Sequence, residues 1–485
     1  MHATAADGSR VPLPRQAVQS LGARLRGELL LPDSAGYEEA RRVWNGMIDR
    51  QPALVARCVE TGDVLHAVEF ARSHGLLVAV RGGGHGVAGH GTCDGGLVID
   101  LSPMRDVAVD PAAATVRVGG GARLLDLDAA TQAHAVAVPA GVVSDTGIAG
   151  LTLGGGLGWL RNKHGLTCDN LLSAEVVTAQ GEVLTASGDS HPDLYWGLQG
   201  GGGNFGIVTE FTFRAHPVGP EVWFTAAFHD GRHMKEILRF FREYTATAPD
   251  EVSTLAACGR FPPGAEAFPE EVQGLPYVLL IGMAAAPPEE GERLMRPLQE
   301  FRRPLVDMSG PQRYVQAQQF FDEDYPQGLR YYWKSLNLRD LSDEAIDRIV
   351  EHALRQPSPL STTDIWHIGG AVRRRDEAES AFAGRRAAFL LNCEANWEDP
   401  ADDGANIAWA RRFLADMQEY SDGSRYLNFP GLYEEGNDTM RTTFGERYRR
   451  LAALKATYDP TNLFRLNQNI PPAAEAERHG GSVTR

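Results

Sequence analysis

The chain has 485 residues, with 63 acidic against 47 basic side chains and a formal net charge of −16. That length exceeds what one hydrophobic core serves and asks for two domains, while the acidic balance argues against a nucleic-acid partner. Five cysteines (Cys58, Cys93, Cys168, Cys258, Cys393) without CxxC spacing argue against a disulfide framework or a metal site, and neither a signal-peptide core nor an apolar run of about 18 residues is found, so a cytoplasmic protein with no membrane contact is expected.

In chain order, "YEEARRVWNGMID" and "DVLHAVEFARSHG" read as helices, the second with apolar positions three and four apart and a closing glycine. Short strands follow at "LLVAV", "LVIDL" and "ATVRVGG", then a helix at "LLDLDAATQAHA". "LSAEVVTA" and "GEVLTAS" form a hairpin through Gln180-Gly181, and "FGIVTEFTFRAHPV" gives a longer strand. From about Glu221 the glycine clusters stop. Strands "VWFTAAF", "STLAACGRF", "YVLLIGMAA", "RYYWKSLNL", "DIWHIGGAV" and "FLLNCEANW" alternate with amphipathic helices at 231–247, 342–356 and 403–420. That pattern predicts a mostly antiparallel sheet with helices on one side. A helix over 439–457 leads into "YDPTNLFRLNQNIPP", which returns to the first domain. The fold class is α+β, divided as 1–216, a substrate domain 217–430, a C-terminal return 431–473 and a disordered tail 474–485.

Glycine makes up 53 residues, about 11% of the chain against a usual value of about 7%. The excess falls in three places: "RGGGHG" (81–86), "GLTLGGGLGW" (150–159) and "LQGGGGNFGIVTE" (198–210). None is a P-loop, since no GK[ST] follows, and none is a Rossmann fingerprint, since the first cluster opens no helix. Any one of them alone reads as a tight turn. Three in one domain are better explained by one long anionic ligand that needs bare N–H donors on several sides, and FAD has that shape.

"VRGGGHGVAGHGTCDGGLVIDLS", "PAGVVSDTGIAGLTLGGGLGWLRNKHGLTCDNLL", "LYWGLQGGGGNFGIVTEF", "YLNF" and "LKATYDPTNLFRLNQNIPP" occur in order. Together they resemble the berberine-bridge-enzyme-like flavoprotein oxidases, over roughly residues 35–473. The resemblance implies the vanillyl-alcohol-oxidase fold, with a two-part FAD-binding domain. It implies FAD contacts from Arg81, Gly82, Gly83, Gly84, Gly86, Val143, Thr146, Gly147, Gly150, Gly155, Gly156, Ile207, Val208, Asn467 and Asn469, and a covalent 8α link from His85. Val143 stands where many relatives carry a second, cysteinyl link. A single histidyl bond is therefore expected, as in 6-hydroxynicotine-oxidase-like members, and the offset of Cys168 is wrong for a substitute. Thr146 falls at a position that gates oxygen, and its modest size favours an oxidase that uses molecular oxygen.

The same resemblance assigns the base to Tyr426 of "YLNF". A tyrosine pKa near 10 needs a cationic or hydrogen-bonding neighbour for that role, and strand alternation would point Arg425 away. His164 and Trp159 read either as flavin-cavity residues or as a solvated histidine and a packed tryptophan. His367 reads as a ring-facing or a core histidine, and Trp366, Tyr332 and Trp333 are ambiguous because alternation turns half of a strand's residues to the wrong face. The expected reaction moves a hydride from a small alcohol or amine to flavin N5 and then reduces oxygen to hydrogen peroxide. A dehydrogenase using another acceptor, and an oxygenating or cyclising flavoenzyme, stay open. With no charged cluster evident in the second domain, a neutral, partly aromatic substrate is expected. The oligomeric state is not legible.

Overall fold

The structure is a computed structural model that describes residues 1–430 and 437–473. The expected tail at 474–485 and the first residues of the expected C-terminal return lie outside the described residues. Strands β1 (Glu28–Leu30), β2 (Leu54–Arg57), β3 (Val78–Arg81) and β4 (Leu97–Asp100) form a four-stranded sheet in the order β1-β2-β4-β3, with β2, β4 and β3 parallel. Helix α1 (Thr61–His74) explains the parallel step. It crosses from β2 to β3, ends where Gly75 turns left-handed at φ 63°, and shares a core with β2, β3 and β4 through Val64, Ala67, Val68 and Ala71.

A second sheet, entirely antiparallel, follows. It comprises β5 (Val107–Asp110), β6 (Thr115–Gly119), β7 (Leu171–Val177), β8 (Val183–Ser187) and β9 (Ile207–Arg214) in the order β8-β7-β9-β6-β5. The β7–β8 hairpin is the one read from Gln180-Gly181, and Gly181 adopts φ 82°. Helices α2 (Leu124–Gln132) and α3 (Ile148–Leu153) precede β7 in the chain.

The large sheet takes β10 (Glu221–Asp230), β11 (Val252–Arg260), β12 (Pro276–Ala284), β13 (Val306–Asp307), β14 (Arg330–Leu338), β15 (Thr362–His367) and β16 (Phe389–Trp397) in the order β13-β10-β12-β11-β15-β16-β14. Gly310–Arg313 also pairs with β10. All of these pairings are antiparallel. Helices α4 (Met234–Thr247), α5 (Pro288–Glu300), α6 (Asp343–Ala353) and α7 (Asp403–Met417) cover one face. Their core with the sheet includes Ile237, Phe241, Met295, Ile349, Phe413, Ile365 and Leu391. The opposite face carries Trp333, Trp366 and Leu390 into a separate core that also contains Trp44, Trp159 and Tyr426. Period-two alternation decides this partition: Ile365 turns to the helices and Trp366 away from them.

The α+β expectation therefore holds, and two local readings change. The helix expected over 37–49 stops after Tyr37–Arg41. Beyond it Arg42 is extended, the Trp44 N–H donates to Gly84 O (3.0 Å), and the Asn45 amide donates to Val87 O and Tyr331 O (2.7 and 2.9 Å). Tertiary partners outcompete helix continuation there. The single helix expected over 439–457 is two, Asn437–Phe444 and α8 (Arg447–Tyr458), separated at Gly445 with φ 54°.

Helix α8 ties the C-terminal segment to the third glycine cluster. Lys455 is fully buried and donates to Asp459 Oδ2 (2.7 Å), Asn204 O (2.8 Å) and Phe464 O (2.9 Å). Asn204 in turn accepts from Ile470 N–H at 3.0 Å, and Asn467 donates to Gly203 O at 3.0 Å. Among the described residues no helix is long and apolar enough to cross a membrane, and no group of acidic, histidine or cysteine side chains is arranged to hold a metal.

Candidate active site

The first glycine cluster turns out of β3, and its backbone lies against the loop that opens α3. A Cβ on Gly83 would fall 2.5 Å from Gly147 Cα, and the reverse contact is equally close. No side chain fits between the two loops. A Cβ on Gly86, Gly150 or Gly203, by contrast, would meet no protein atom within 4 Å. These three glycines border a cavity of about 330 Å³, lined by all three clusters, by Asn467 and by the bare face of the large sheet. Such a size suits a small-molecule site.

Of the residues expected to hold a flavin, Arg81, Gly82, Gly83, Gly84, His85, Gly86, Val143, Thr146, Gly147, Gly150, Ile207, Val208 and Asn467 line this cavity. Gly155, Gly156 and Asn469 do not. Arg81 is occupied internally: its guanidinium grips Asp100 at 3.0 and 2.5 Å and also donates to the carbonyls of Ala40 and Arg42. Its guanidinium thus braces the end of β3 against β4. Asn467 keeps its Oδ1 unpartnered.

The His85 ring stacks on Trp44, centroids 4.1 Å apart, and its Nε2 lies 3.0 Å from Asp145 Oδ1. Neither of those two atoms has another partner, and their mutual orientation falls short of a well-directed hydrogen bond. Burial alone would raise the Asp145 pKa, but His85 and Arg123 outweigh it and hold the carboxyl below its usual value. Trp44, which reads in the sequence as a helix-face residue, is the platform for the histidine.

Tyr426 is buried at the cavity wall. It lies on no strand, so alternation does not govern Arg425. Its hydroxyl oxygen accepts from Asn428 Nδ2 (2.9 Å) and from the main-chain N–H groups of Gly156 and Leu157 (3.1 Å each). Burial pushes its pKa up to about 12, and these three donors oppose that rise. The second glycine cluster thus serves the tyrosine through Gly156, where φ of 88° favours glycine.

The remaining candidates are placed elsewhere. His367 ends β15 on the helix-facing side, within 3.2 Å of Asn162 Nδ2, and burial lowers its pKa to about 3. His164 stacks on His216 at 3.9 Å and is likewise lowered to about 3, chiefly by burial. Cys168 is fully buried, which drives its thiol pKa far up. Trp159 packs against Phe224, Phe321 and Trp366. None of these four lines the cavity; of the ambiguous strand aromatics, Trp366 and Trp333 do.

Two residues not singled out in the sequence do line it: Asp364 on β15 and Glu394 on β16, 4% and 3% exposed. Register pairs Asp364 with Asn392 and Thr362 with Glu394, which brings the two carboxyls to one face, one step apart diagonally. Glu394 accepts from Tyr325 Oη (2.6 Å) and Asn392 Nδ2 (2.5 Å), while Asp364 Oδ1 is unpartnered. Burial pushes both pKa values up, and for Glu394 the charge of Asp364 adds to the rise. The expectation of no charged cluster in the second domain is therefore corrected. The available signal was an acid inside each of two otherwise apolar strands, "TTDIWH" and "LLNCEANW".

Fold and cavity define an FAD-dependent oxidoreductase. Residues 52–187 match the family described as FAD binding domain, and residues 425–471 match that described as berberine and berberine like. The chain is 30% identical over 462 residues to the uncharacterized FAD-linked oxidoreductase YgaK of Bacillus subtilis, covering 93% of this chain and 98% of that one. It belongs to this berberine-like family of FAD-linked oxidoreductases. The crystal structure of 6-hydroxy-D-nicotine oxidase from Arthrobacter nicotinovorans superposes with a TM-score of 0.82 at 27% identity, covering 92% of this chain and 98% of that one. Glucooligosaccharide oxidase from Acremonium strictum, described with a 6-S-cysteinyl, 8α-N1-histidyl FAD, shares the fold: TM-score 0.83, 22% identity, 94% and 99% coverage. The residues here suit FAD. Gly86, Gly150 and Gly203 leave space that side chains would fill, and Asn467 Oδ1 is a buried acceptor awaiting a donor.

Proposed function

We propose that this protein is an oxidase with a covalently held FAD, acting on a small alcohol or amine. The observation that carries the reading is the Tyr426 oxygen, held by three N–H donors at the wall of the cavity that His85 also lines. FAD, when bound, would supply the two-electron acceptor for the substrate hydride, with oxygen as the final acceptor.

His85 is the residue assigned to the link. With Nε2 turned to the Asp145 carboxylate at 3.0 Å, Nδ1 is the ring nitrogen assigned to bond formation. Val143 offers no nucleophile at the position expected for a second bond, and Cys168 is too deeply buried to replace it. The loops of Gly82 to Gly84 and Gly147 to Gly150, together with Ile207, Val208 and Asn467, are assigned to cofactor binding. Gly155, Gly156 and Asn469 are assigned to supporting this frame. The flavin-binding unit combines 1–216 with the segment from 437 to 473, and 217–430 presents the substrate wall.

Tyr426 receives the substrate proton. With its pKa pushed up to about 12 it is mostly a neutral phenol at neutral pH, so the accepting form is the minor phenolate, whose own proton has first passed to solvent. Its three donors stabilise that phenolate, which takes the substrate proton as the hydride departs and is thereby returned to the phenol. Thr146, at the cavity wall, leaves a path for oxygen. The test is anaerobic reduction by a turned-over substrate followed by an air pulse. Rapid reoxidation with one hydrogen peroxide per flavin supports an oxidase; reoxidation only by an added quinone or dye makes the protein a dehydrogenase.

A further inference from the structure

The oxidase reading leaves the substrate open, and the wall facing the glycine loops bears on it. Two of its side chains are carboxyls, Asp364 and Glu394, with Trp366 two residues beyond Asp364 on the same face and Trp333 on β14. The charged and imidazole groups lining the rest of the cavity are Arg81, His85 and His90. The Arg81 guanidinium is paired with Asp100 and bonded to two carbonyls, His85 faces Asp145, and burial lowers the His90 pKa to about 4, so that it is neutral. Arg161 lies behind the Trp366 ring, 5.1 Å from its centroid, with donors committed to the carbonyls of Gly158, Thr254 and His367. No lining cation among the described residues answers the two carboxyls.

Their surroundings divide the labour. Both Glu394 oxygens accept hydrogen bonds, from Tyr325 and Asn392, and these favour its charged form against the upward push of burial and of Asp364. Asp364 keeps a bare oxygen. Two adjacent buried carboxyls hold one negative charge far more readily than two. A second, independent sign comes from Trp366: 3% exposed, on the same wall, with its indole N–H unpartnered. A buried donor and a buried carboxyl oxygen left open together describe a surface that a ligand completes.

We propose that the substrate is an aromatic compound bearing a basic nitrogen, its ammonium taken by the Asp364–Glu394 pair and its ring lying along Trp366 and Trp333. This names the substrate class for the oxidase reading above and rests on it. It replaces the neutral substrate expected from sequence. A monocation matches a pair carrying a single charge, and the tryptophan faces reinforce it by cation–π attraction.

Benzylamine, benzyl alcohol and benzoate, alike in ring and size, are the probes. Each is titrated into the flavin-containing protein at neutral pH and followed by the flavin difference spectrum. Benzylamine is expected to bind at least tenfold more tightly than the alcohol, with benzoate weakest. Asp364→Asn and Glu394→Gln are each expected to remove most of that preference while leaving flavin content and alcohol affinity unchanged. An alcohol that binds as tightly as the amine, an absence of amine binding, or a preference that survives in a folded, flavin-loaded variant overturns the proposal. If one variant fails to fold, the other and the wild-type comparison still decide. Failure of the oxidase reading is separately visible, as flavin that does not reoxidise in air whatever probe binds.

Discussion

The two sides of the cavity are built on opposite principles. The glycine side is made of backbone: Gly83 packs on Gly147 with no room for a Cβ, and Gly86, Gly150 and Gly203 present bare peptide to open space. The sheet side is made of side chains, with Asp364, Trp366 and Glu394 projecting from paired strands. A backbone surface recognises what is common to every copy of a cofactor, since N–H groups do not vary with sequence. A side-chain surface on a rigid sheet can be recast residue by residue without disturbing the frame. On the reading proposed above, cofactor chemistry and substrate choice are thereby separated across one cavity.

The largest expected effect tests the glycine side alone. His85→Ala should abolish covalent attachment: flavin that remains with acid-precipitated wild-type protein should appear wholly in the supernatant. Peptide mapping should find the wild-type adduct on His85 only, and an adduct on Cys168 would break the single-link assignment.

Next comes the support beneath that side. Lys455→Met leaves Asp459 buried without its cation, at a cost of about 3–5 kcal/mol. Denaturant unfolding should show this loss, and flavin retention should fall with it, because Asn204 and Phe464 lose the same donor. Unchanged stability would detach the C-terminal segment from the flavin-binding unit.

Tyr426→Phe probes the point where the two sides meet. Loss of a general base should slow anaerobic flavin reduction by about a hundredfold, with covalent flavin and substrate affinity retained. The sign of the pH dependence follows from the base role. The deprotonated form accepts the proton, so the wild-type rate should rise with pH. With burial holding the pKa near 12, no plateau should appear below about pH 10. A variant within a few-fold of wild type with the same profile would make Tyr426 a packing residue and move the base to the Asp364–Glu394 pair.

The smallest effect sharpens the contrast within the glycine side. Gly83→Ala must displace the Gly147 backbone, at about 1–3 kcal/mol, whereas Gly86→Ala should change the stability of the flavin-free protein by less than about 0.5 kcal/mol. Thermal unfolding of the two, compared directly, measures how tightly the loops are held together.

Much of the glycine side was legible because its information is local. "RGGGHG" places His85 one turn beyond a strand, and no distant partner is needed to see it. What the sequence does not show there is the bracing of the Arg81 guanidinium by Asp100, which depends on the parallel pairing of β3 and β4. The α1 helix and the six long strands of the second domain were readable from period and composition. Trp44 was not: its helical spacing is real, but hydrogen bonds to Gly84, Val87 and Tyr331 end the helix and turn the indole under His85.

The sequence by itself determined the cofactor class and the sheet-with-helices architecture, because turn chemistry and hydrophobic period act over a few residues. Only the tertiary structure decided which face of β15 and β16 meets the cavity. Alternation offers two equal choices for each strand, and packing of Ile365 and Leu391 beneath the helices resolves both at once. That choice sends His367 away and brings Asp364 and Glu394, thirty positions apart in the chain, to one side of one cavity. Strand register is a collective property of the sheet, and no single residue announces it.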